Sequence, residues 1–141
     1  MERKNIASIL VCLSVFCITF IALAQENEEA APSFPSVKCE DLKKMIDGKA
    51  TDILVVSNDP QESFEEGHIP GAVSFPWSTQ LKQPVTLPRN KTLILYCSCA
   101  HEEDSLDTAA KLSRMGYRNL KVLEGGFLRW LELKYPIEGK K

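Results

Sequence analysis

Two cysteines and a histidine stand within five residues of one another, at Cys97, Cys99 and His101. A cysteine thiolate is a strong nucleophile, and a nearby second thiol can exchange disulfides with it. Thiol and imidazole groups also bind soft metal ions, but a closed tetrahedral site needs a fourth ligand that so short a run does not supply. The residue types therefore predict nucleophilic chemistry at Cys97, with Cys99 as a second thiol and no dedicated metal site.

Cys97 follows an apolar, β-branched run at residues 91–96, a pattern typical of a buried strand. After a short loop, Asp104 or Ser105 offers an N-cap for a helix. The apolar residues that follow recur at helical spacing: Leu106, Ala109, Ala110, Leu112 and Met115. A loop between a strand and a helix N-terminus brings backbone N–H groups to one point, and a thiol placed there is biased toward thiolate.

The rest of the chain alternates between helical and extended patterns, which predicts an α/β fold with a mostly parallel sheet covered by helices on both faces. Gly48 is expected at the C′ position of the first helix, and Trp130 and Leu131 are expected to point inward from the last one. The predicted helices are residues 40–47, 61–66 and 127–133, and the other predicted strands are residues 52–56, 73–75 and 120–123.

The first 24 residues have the pattern of a secretory signal, in which an uncharged stretch, Ile6–Ala24, ends in the small-x-small sequence Ala22-Leu-Ala24. We therefore expect an exported domain, periplasmic or otherwise extracytoplasmic. It would be anchored in a membrane through residues 6–24 only if the signal were not removed. Residues 25–36 are predicted to be a flexible linker, residues 37–137 the folded domain and residues 138–141 a tail.

The charge and the cysteine count exclude several classes of protein. Residues 1–24 carry a net charge of +1, so their removal moves the formal net charge from −2 to −3, which argues against nucleic acid as a partner. Three of the five cysteines then remain, and an odd number argues against a disulfide scaffold. Cys39 is interpreted as a packing residue.

Four short motifs resemble, in order and spacing, those of the rhodanese-like domain family. They are Glu66-Gly-His-Ile-Pro-Gly-Ala72, Leu95-Tyr-Cys97, Met115-Gly-Tyr117 and Leu123-Glu-Gly-Gly126 with Trp130. The resemblance covers residues 37–137 and implies a three-layer α/β sandwich with about five parallel strands and no cofactor. It also implies that Cys97 accepts a sulfane sulfur from a small donor as a persulfide and passes it to a thiol acceptor. Loop N–H groups would then stabilise the charged terminal sulfur.

The loop that would hold the persulfide differs from that of many active members of the family, which carry an arginine there. This chain has no Lys or Arg between Cys97 and Thr108. The usual Asp and Arg after the second strand of the family fall on Ser57 and Asp59. A dianionic donor such as thiosulfate is therefore expected to be repelled unless the loop carboxylates point outward. The predicted loop consists of Ser98, Cys99, Ala100, His101, Glu102 and Glu103.

Two residues outside the loop are candidates for the rim of a pocket. His68 lies within Gly67-His-Ile-Pro and is expected mainly to hold that turn. Trp77 is expected mainly to pack in the core.

Three functions remain open from the residues. The first is an exported sulfurtransferase or persulfide carrier that uses Cys97. The second is a non-catalytic rhodanese-like module that binds a partner protein, in which Cys97 is an inert buried thiol. The third is a thiol–disulfide or metal-handling protein that uses Cys97, Cys99 and His101. A phosphatase is disfavoured, because nothing in the loop can clamp a phosphate.

Overall fold

The computed structural model describes residues 33–140. The predicted signal of residues 1–24, with Cys12 and Cys17, lies outside these residues, as does most of the predicted linker. Among residues 33–140, no helix combines the length and the apolar character needed to cross a membrane.

Strands and helices alternate along the described chain and build one sheet. All the strand pairs are parallel, and the strand order is β1-β5-β4-β2-β3. This architecture confirms the predicted α/β fold with a five-stranded parallel sheet. The elements are β1 (Ser36–Val37), α1 (Cys39–Asp47), β2 (Ile53–Ser57), α2 (Gln61–Glu66), β3 (Val73–Ser74), β4 (Thr92–Tyr96), α3 (Glu103–Arg114), β5 (Leu120–Leu123) and α4 (Gly126–Glu132).

The central strand, β4, is buried on both faces, which explains its continuous run of apolar residues. Ile94 and Tyr96 pack with Trp130 of α4 and with residues of α1 on one face of the sheet. Leu93 and Leu95 point to the opposite face and pack with residues of α3. Successive side chains of a strand alternate between faces, so one short strand supports both hydrophobic cores.

The inward faces of α3 and α4 differ from the prediction at two leucines. Leu106 and Leu131 are 38% and 43% exposed. In α3, the buried side chains are Ser105, Thr108, Ala109 and Leu112. These follow the i, i+3, i+4, i+7 spacing of one helix face, and Leu106 lies outside that stripe.

The C-terminal residues, predicted to be a tail, bond to the segment around α2. Glu138 forms an isolated antiparallel bridge with His68. The Lys140 N–H donates to the Glu65 carbonyl at 2.7 Å, and the Lys140 ammonium pairs with the Glu65 carboxylate. Residues 138–140 are therefore part of the folded domain.

The end of α1 differs from the predicted cap by one residue. Gly48 has a φ of −75°, whereas Lys49 has a φ of 54°. The Lys49 N–H donates to the Ile46 carbonyl and the Ala50 N–H to the Met45 carbonyl, both at 3.0 Å. These two bonds form a Schellman motif with Lys49, not Gly48, at the left-handed C′ position.

We expect Lys49→Gly to raise the free energy of unfolding by about 0.5–1 kcal/mol, because a left-handed backbone is unfavourable for a residue with a Cβ. Urea denaturation measures the change. Lys44→Gly, inside α1, is the matched control and should lower the free energy of unfolding by about 1 kcal/mol. A destabilised Lys49→Gly variant would contradict the proposed cap.

Candidate active site

Cys97 lies directly after β4, at the carboxyl edge of the sheet, and its side chain is fully buried. Its carbonyl oxygen accepts a hydrogen bond of 3.0 Å from the backbone N–H of Phe127 in the first turn of α4. Gly126 packs against the same carbonyl with a φ of 53°, and a Cβ there would lie 2.3 Å from the Cys97 oxygen. Only glycine fits this close approach, so the Gly125-Gly126 motif fixes the backbone of Cys97 from the β5 side.

Asp59 fixes the same loop from the β2 side. Its Oδ1 accepts a bond of 2.7 Å from the Ser98 N–H, and its Oδ2 accepts one of 3.0 Å from the Ser98 hydroxyl. Asp59 as a whole residue is only 6% exposed to solvent. The segments that follow two neighbouring parallel strands meet at one edge of the sheet, which brings Asp59 to Ser98.

Sequence reasoning noted Asp59 only as a departure from the family and missed its role as the anchor of the loop. The sequence did contain a signal for this role. Asp59 closely follows the predicted strand of residues 52–56, and the carboxyl ends of parallel neighbouring strands lie at one edge of a sheet. Ser57, the other departing position, is buried, and its hydroxyl accepts a bond of 3.4 Å from the Asp59 N–H.

Glu102 is the last residue of the loop and the N-cap of α3. It has a left-handed backbone, with a φ of 55° and a ψ of 23°, and its Oε1 accepts a bond of 2.6 Å from the Gly125 N–H. The helix therefore starts at Glu103, and the predicted N-cap at Asp104 or Ser105 is wrong. The reason is a tertiary contact: the side chain of Glu102 bonds to another loop rather than to its own helix.

Cys99 is half-buried and lies beside Cys97 and the N-terminus of α3. Burial, together with hydrogen bonds to the neighbouring Cys97 thiol and the Asp104 carboxylate, raises the pKa of the Cys99 thiol to about 12, whereas the backbone N–H of Asp104 opposes this rise. The first turn of α3 therefore directs an N–H group to Cys99, the second thiol of the loop.

Ala100 and His101 are exposed at the tip of the loop. The His101 N–H donates to Oε2 of Glu103 at 3.2 Å. The pKa of Glu103 is lowered by its own backbone N–H and by that of His101. Across residues 33–140, no three His, Cys, Asp or Glu side chains are gathered in a way that would hold a metal ion, so Cys97, Cys99 and His101 do not form a ligand set.

Trp77 is 40% exposed, so its predicted core position is wrong. Its indole N–H donates to Oδ2 of Asp107 at 2.5 Å, and the Lys111 ammonium lies 5.1 Å from the ring centroid. Burial would raise the pKa of Asp107, but bonds from Lys111 and Trp77 outweigh it and lower that pKa. Trp77 also lines a surface cavity of about 360 Å³ whose lining residues, 74–78, 81 and 82, include none of the loop.

His68 holds the turn that precedes β3. Its ring stacks on Phe64 with centroids 3.8 Å apart, and its Nδ1 lies 2.7 Å from the Phe64 carbonyl oxygen. The backbone N–H of the next residue, Ile69, donates to the Tyr96 hydroxyl at 3.3 Å. The other contacts of His68 are with Glu138, through the backbone bridge and through a ring nitrogen 3.7 Å from the carboxylate, and its place at the rim of a pocket stays a prediction.

The family model of the rhodanese-like domain matches residues 38–133. The "Adenylyltransferase and sulfurtransferase UBA4" of Meyerozyma guilliermondii is 33% identical over 86 residues, which are 57% of this chain and 20% of that protein. The "HTH-type transcriptional regulator Rv0324" of Mycobacterium tuberculosis is 26% identical over 118 residues, covering 84% of this chain and 50% of that protein. The chain therefore spans half or less of the length of these relatives.

Solved structures share the fold. The BH2092 protein of Bacillus halodurans superposes with a TM-score of 0.69 at 29% identity, covering 74% of this chain and 77% of that one. A rhodanese-related protein of Thermoplasma volcanium gives a TM-score of 0.64 at 25% identity, covering 76% of this chain and 100% of that one. These matches confirm the rhodanese-like architecture.

We expect Glu102→Ala to lower the free energy of unfolding by about 1.5–3 kcal/mol, because the Gly125 N–H loses its charged acceptor. Hydrogen exchange at the Gly125 amide should speed up at the same time. Glu102→Gln is the matched control: it keeps an acceptor oxygen and should retain most of the protection. Equal protection of the Gly125 amide in the wild-type protein and Glu102→Ala would contradict this role.

Proposed function

This chain belongs to the rhodanese-like domain family, and we propose that it is a sulfurtransferase that carries a sulfane sulfur as a persulfide on Cys97. The observation that carries the proposal is the placement of Cys97 at the carboxyl end of the central strand. The peptide group between Cys97 and Ser98 is held there by residues that follow the two neighbouring strands, Phe127 after β5 and Asp59 after β2. The similarity to proteins described as sulfurtransferases supports it.

The transfer begins with an attack of the Cys97 thiolate on the sulfane sulfur of a donor. A bond forms between Cys97 Sγ and that sulfur, and the bond between the sulfur and the rest of the donor breaks, so the leaving group takes the electron pair. An acceptor thiolate then attacks the terminal sulfur of the persulfide and regenerates the Cys97 thiolate. Because Cys97 is fully buried in the closed loop, both partners reach it only when the residues above it move.

Backbone N–H groups of the loop would stabilise the negative terminal sulfur. The Ser98 N–H is already bonded to Asp59, and the His101 N–H to Glu103. The N–H groups of Cys99 and Ala100 lie between these two anchored positions and are the ones we assign to the persulfide. These two N–H groups would stabilise the negative charge of the persulfide without the loop arginine that many members of the family carry.

A thiol–disulfide function is a second candidate, favoured by the position of Cys99 beside Cys97. Oxidation would join the two sulfurs while a disulfide of a partner protein takes up the two electrons and two protons. A bridge across a single intervening residue is strained and is therefore easily reduced. Such a pair would suit reversible exchange rather than a structural role.

The persulfide proposal is tested by intact mass spectrometry without reductant, before and after treatment with inorganic polysulfide. We expect the wild-type protein and Cys99→Ser to gain one sulfur atom and Cys97→Ser to gain none. Cys39→Ser is the matched control and should leave the gain unchanged, because burial and the nearby Glu40 raise the pKa of the Cys39 thiol to about 11 and so disfavour its thiolate. A loss of two hydrogens that disappears in either Cys97→Ser or Cys99→Ser would favour the disulfide function. Uptake of no sulfur would overturn the proposal and favour the partner-binding module.

We also propose that the domain works outside the cytoplasm, on the support of the signal pattern in residues 1–24 alone. Cell fractionation with sequencing of the mature N-terminus should place the protein outside the cytoplasm and find Gln25 as its first residue. An intact N-terminus in the membrane fraction would instead identify an anchor. An intact protein in the cytoplasm would contradict export.

A further inference from the structure

We infer that Asp59 makes the Cys97 site selective for thiol-bound persulfides, R–S–SH, over dianionic sulfur donors. The inference rests on the proposed function and adds a donor class and a specificity-determining residue to it. It depends on the position of one buried carboxylate and on the pairing of the cations around it.

The Asp59 carboxylate lies close to the reacting sulfur. Its Oδ1 is 2.7 Å from the nitrogen of Ser98, the residue bonded directly to Cys97. Bond lengths alone then place Cys97 Sγ within about 9 Å of that oxygen. Because the residue is only 6% exposed, water and salt screen its charge less than that of a surface carboxylate.

The loop itself supplies no cation that could offset this charge. Residues 97–107 contain no Lys or Arg but carry Glu102, Glu103, Asp104 and Asp107. Two cations that follow in the chain already have partners: Lys111 pairs with Asp107 and donates to the Ser78 carbonyl at 2.6 Å. Arg129 pairs with Glu132 at 3.0 Å and lies 3.9 Å from Glu40.

The loop carboxylates do not all affect a donor in the same way. Glu103 is exposed at the surface, Glu102 is directed to the Gly125 N–H, and Asp104 is directed to the Cys99 thiol. Asp59, in contrast, lies beneath the loop, where its charge cannot turn away into water. A dianion that approaches Cys97 therefore meets a fixed negative charge, whereas a neutral or singly charged persulfide meets much less repulsion.

The two transfer reactions differ in the charge that must enter the site. With a persulfide, the Cys97 thiolate takes the outer sulfur, the S–S bond of the donor breaks, and the proton of the outer sulfur moves to the departing thiolate to give R–SH. With thiosulfate, the thiolate takes the sulfane sulfur and sulfite leaves as a dianion. Both reactions balance without an external oxidant or reductant.

Asp59→Asn removes the negative charge of the side chain but can keep its two hydrogen bonds to Ser98. The amide oxygen can accept from the Ser98 N–H, and the amide NH₂ can donate to the Ser98 hydroxyl, so both contacts of the loop are retained. Asp47→Asn is the matched control, since Asp47 is an exposed aspartate at the last residue of α1 that pairs with Lys43. It removes the same charge away from the loop.

The experiment compares the rates at which Cys97 gains one sulfur from cysteine persulfide and from thiosulfate, followed by intact mass. In the wild-type protein, cysteine persulfide should load Cys97 at least about tenfold faster than thiosulfate. In Asp59→Asn, the ratio of the loading rate from thiosulfate to the loading rate from cysteine persulfide should rise about tenfold. Asp47→Asn should behave as the wild-type protein does.

The outcomes separate this inference from the proposed function. Equal loading by both donors in the wild-type protein, or an unchanged ratio in Asp59→Asn, would overturn the selectivity and leave the persulfide function intact. Loading by neither donor would overturn the proposed function itself. If Asp59→Asn does not fold, the wild-type protein decides: methanethiosulfonate, a singly charged anion with a sulfane sulfur, should load Cys97 at least about tenfold faster than the dianion thiosulfate. Equal loading by these two anions would count against the inference.

Discussion

The peptide group between Cys97 and Ser98 is held from both sides, and the geometry of the site depends on this constraint. Phe127, which follows β5, donates to the Cys97 carbonyl, and Asp59, which follows β2, accepts from the Ser98 N–H. Both contacts exist because β4 lies between β5 and β2 in parallel register, so that all three strands end at one edge. The sheet order thus fixes the position of the thiol before any side chain of the loop contributes.

The acidic character of the loop follows from the same arrangement. Asp59, Glu102 and Glu103 each accept a hydrogen bond from a backbone N–H of the loops at this edge of the sheet. The bonds to the two less exposed carboxylates, Asp59 and Glu102, contribute about 1.5–3 kcal/mol each when well formed, which helps to offset the lack of regular secondary structure between β4 and α3. In the donor selectivity that we propose, the carboxylate of Asp59 both anchors the loop and repels dianions, so that structure and donor preference would be coupled through the same group.

The sequence predicted those parts of the fold that depend on local pattern. Alternating apolar runs indicated the parallel sheet, and the run at residues 91–96 correctly located β4 and the loop that follows it. The errors occur where the local pattern is ambiguous. At the end of α1, Lys49 has the left-handed backbone that was predicted for Gly48. In α3, the buried face contains Ser105 and Leu112, whereas Leu106 lies outside it.

The sequence alone determined the α/β class, the strand–loop–helix around Cys97 and the glycine pair at Gly125-Gly126, because each depends on residues that are neighbours in the chain. Only the tertiary structure decided what the polar side chains contact. Asp59 and Ser98 are 39 residues apart, and Glu102 and Gly125 are 23 apart. Hydrogen bonds over such separations arise only when the sheet brings distant loops to one edge, and no periodicity within a segment records them.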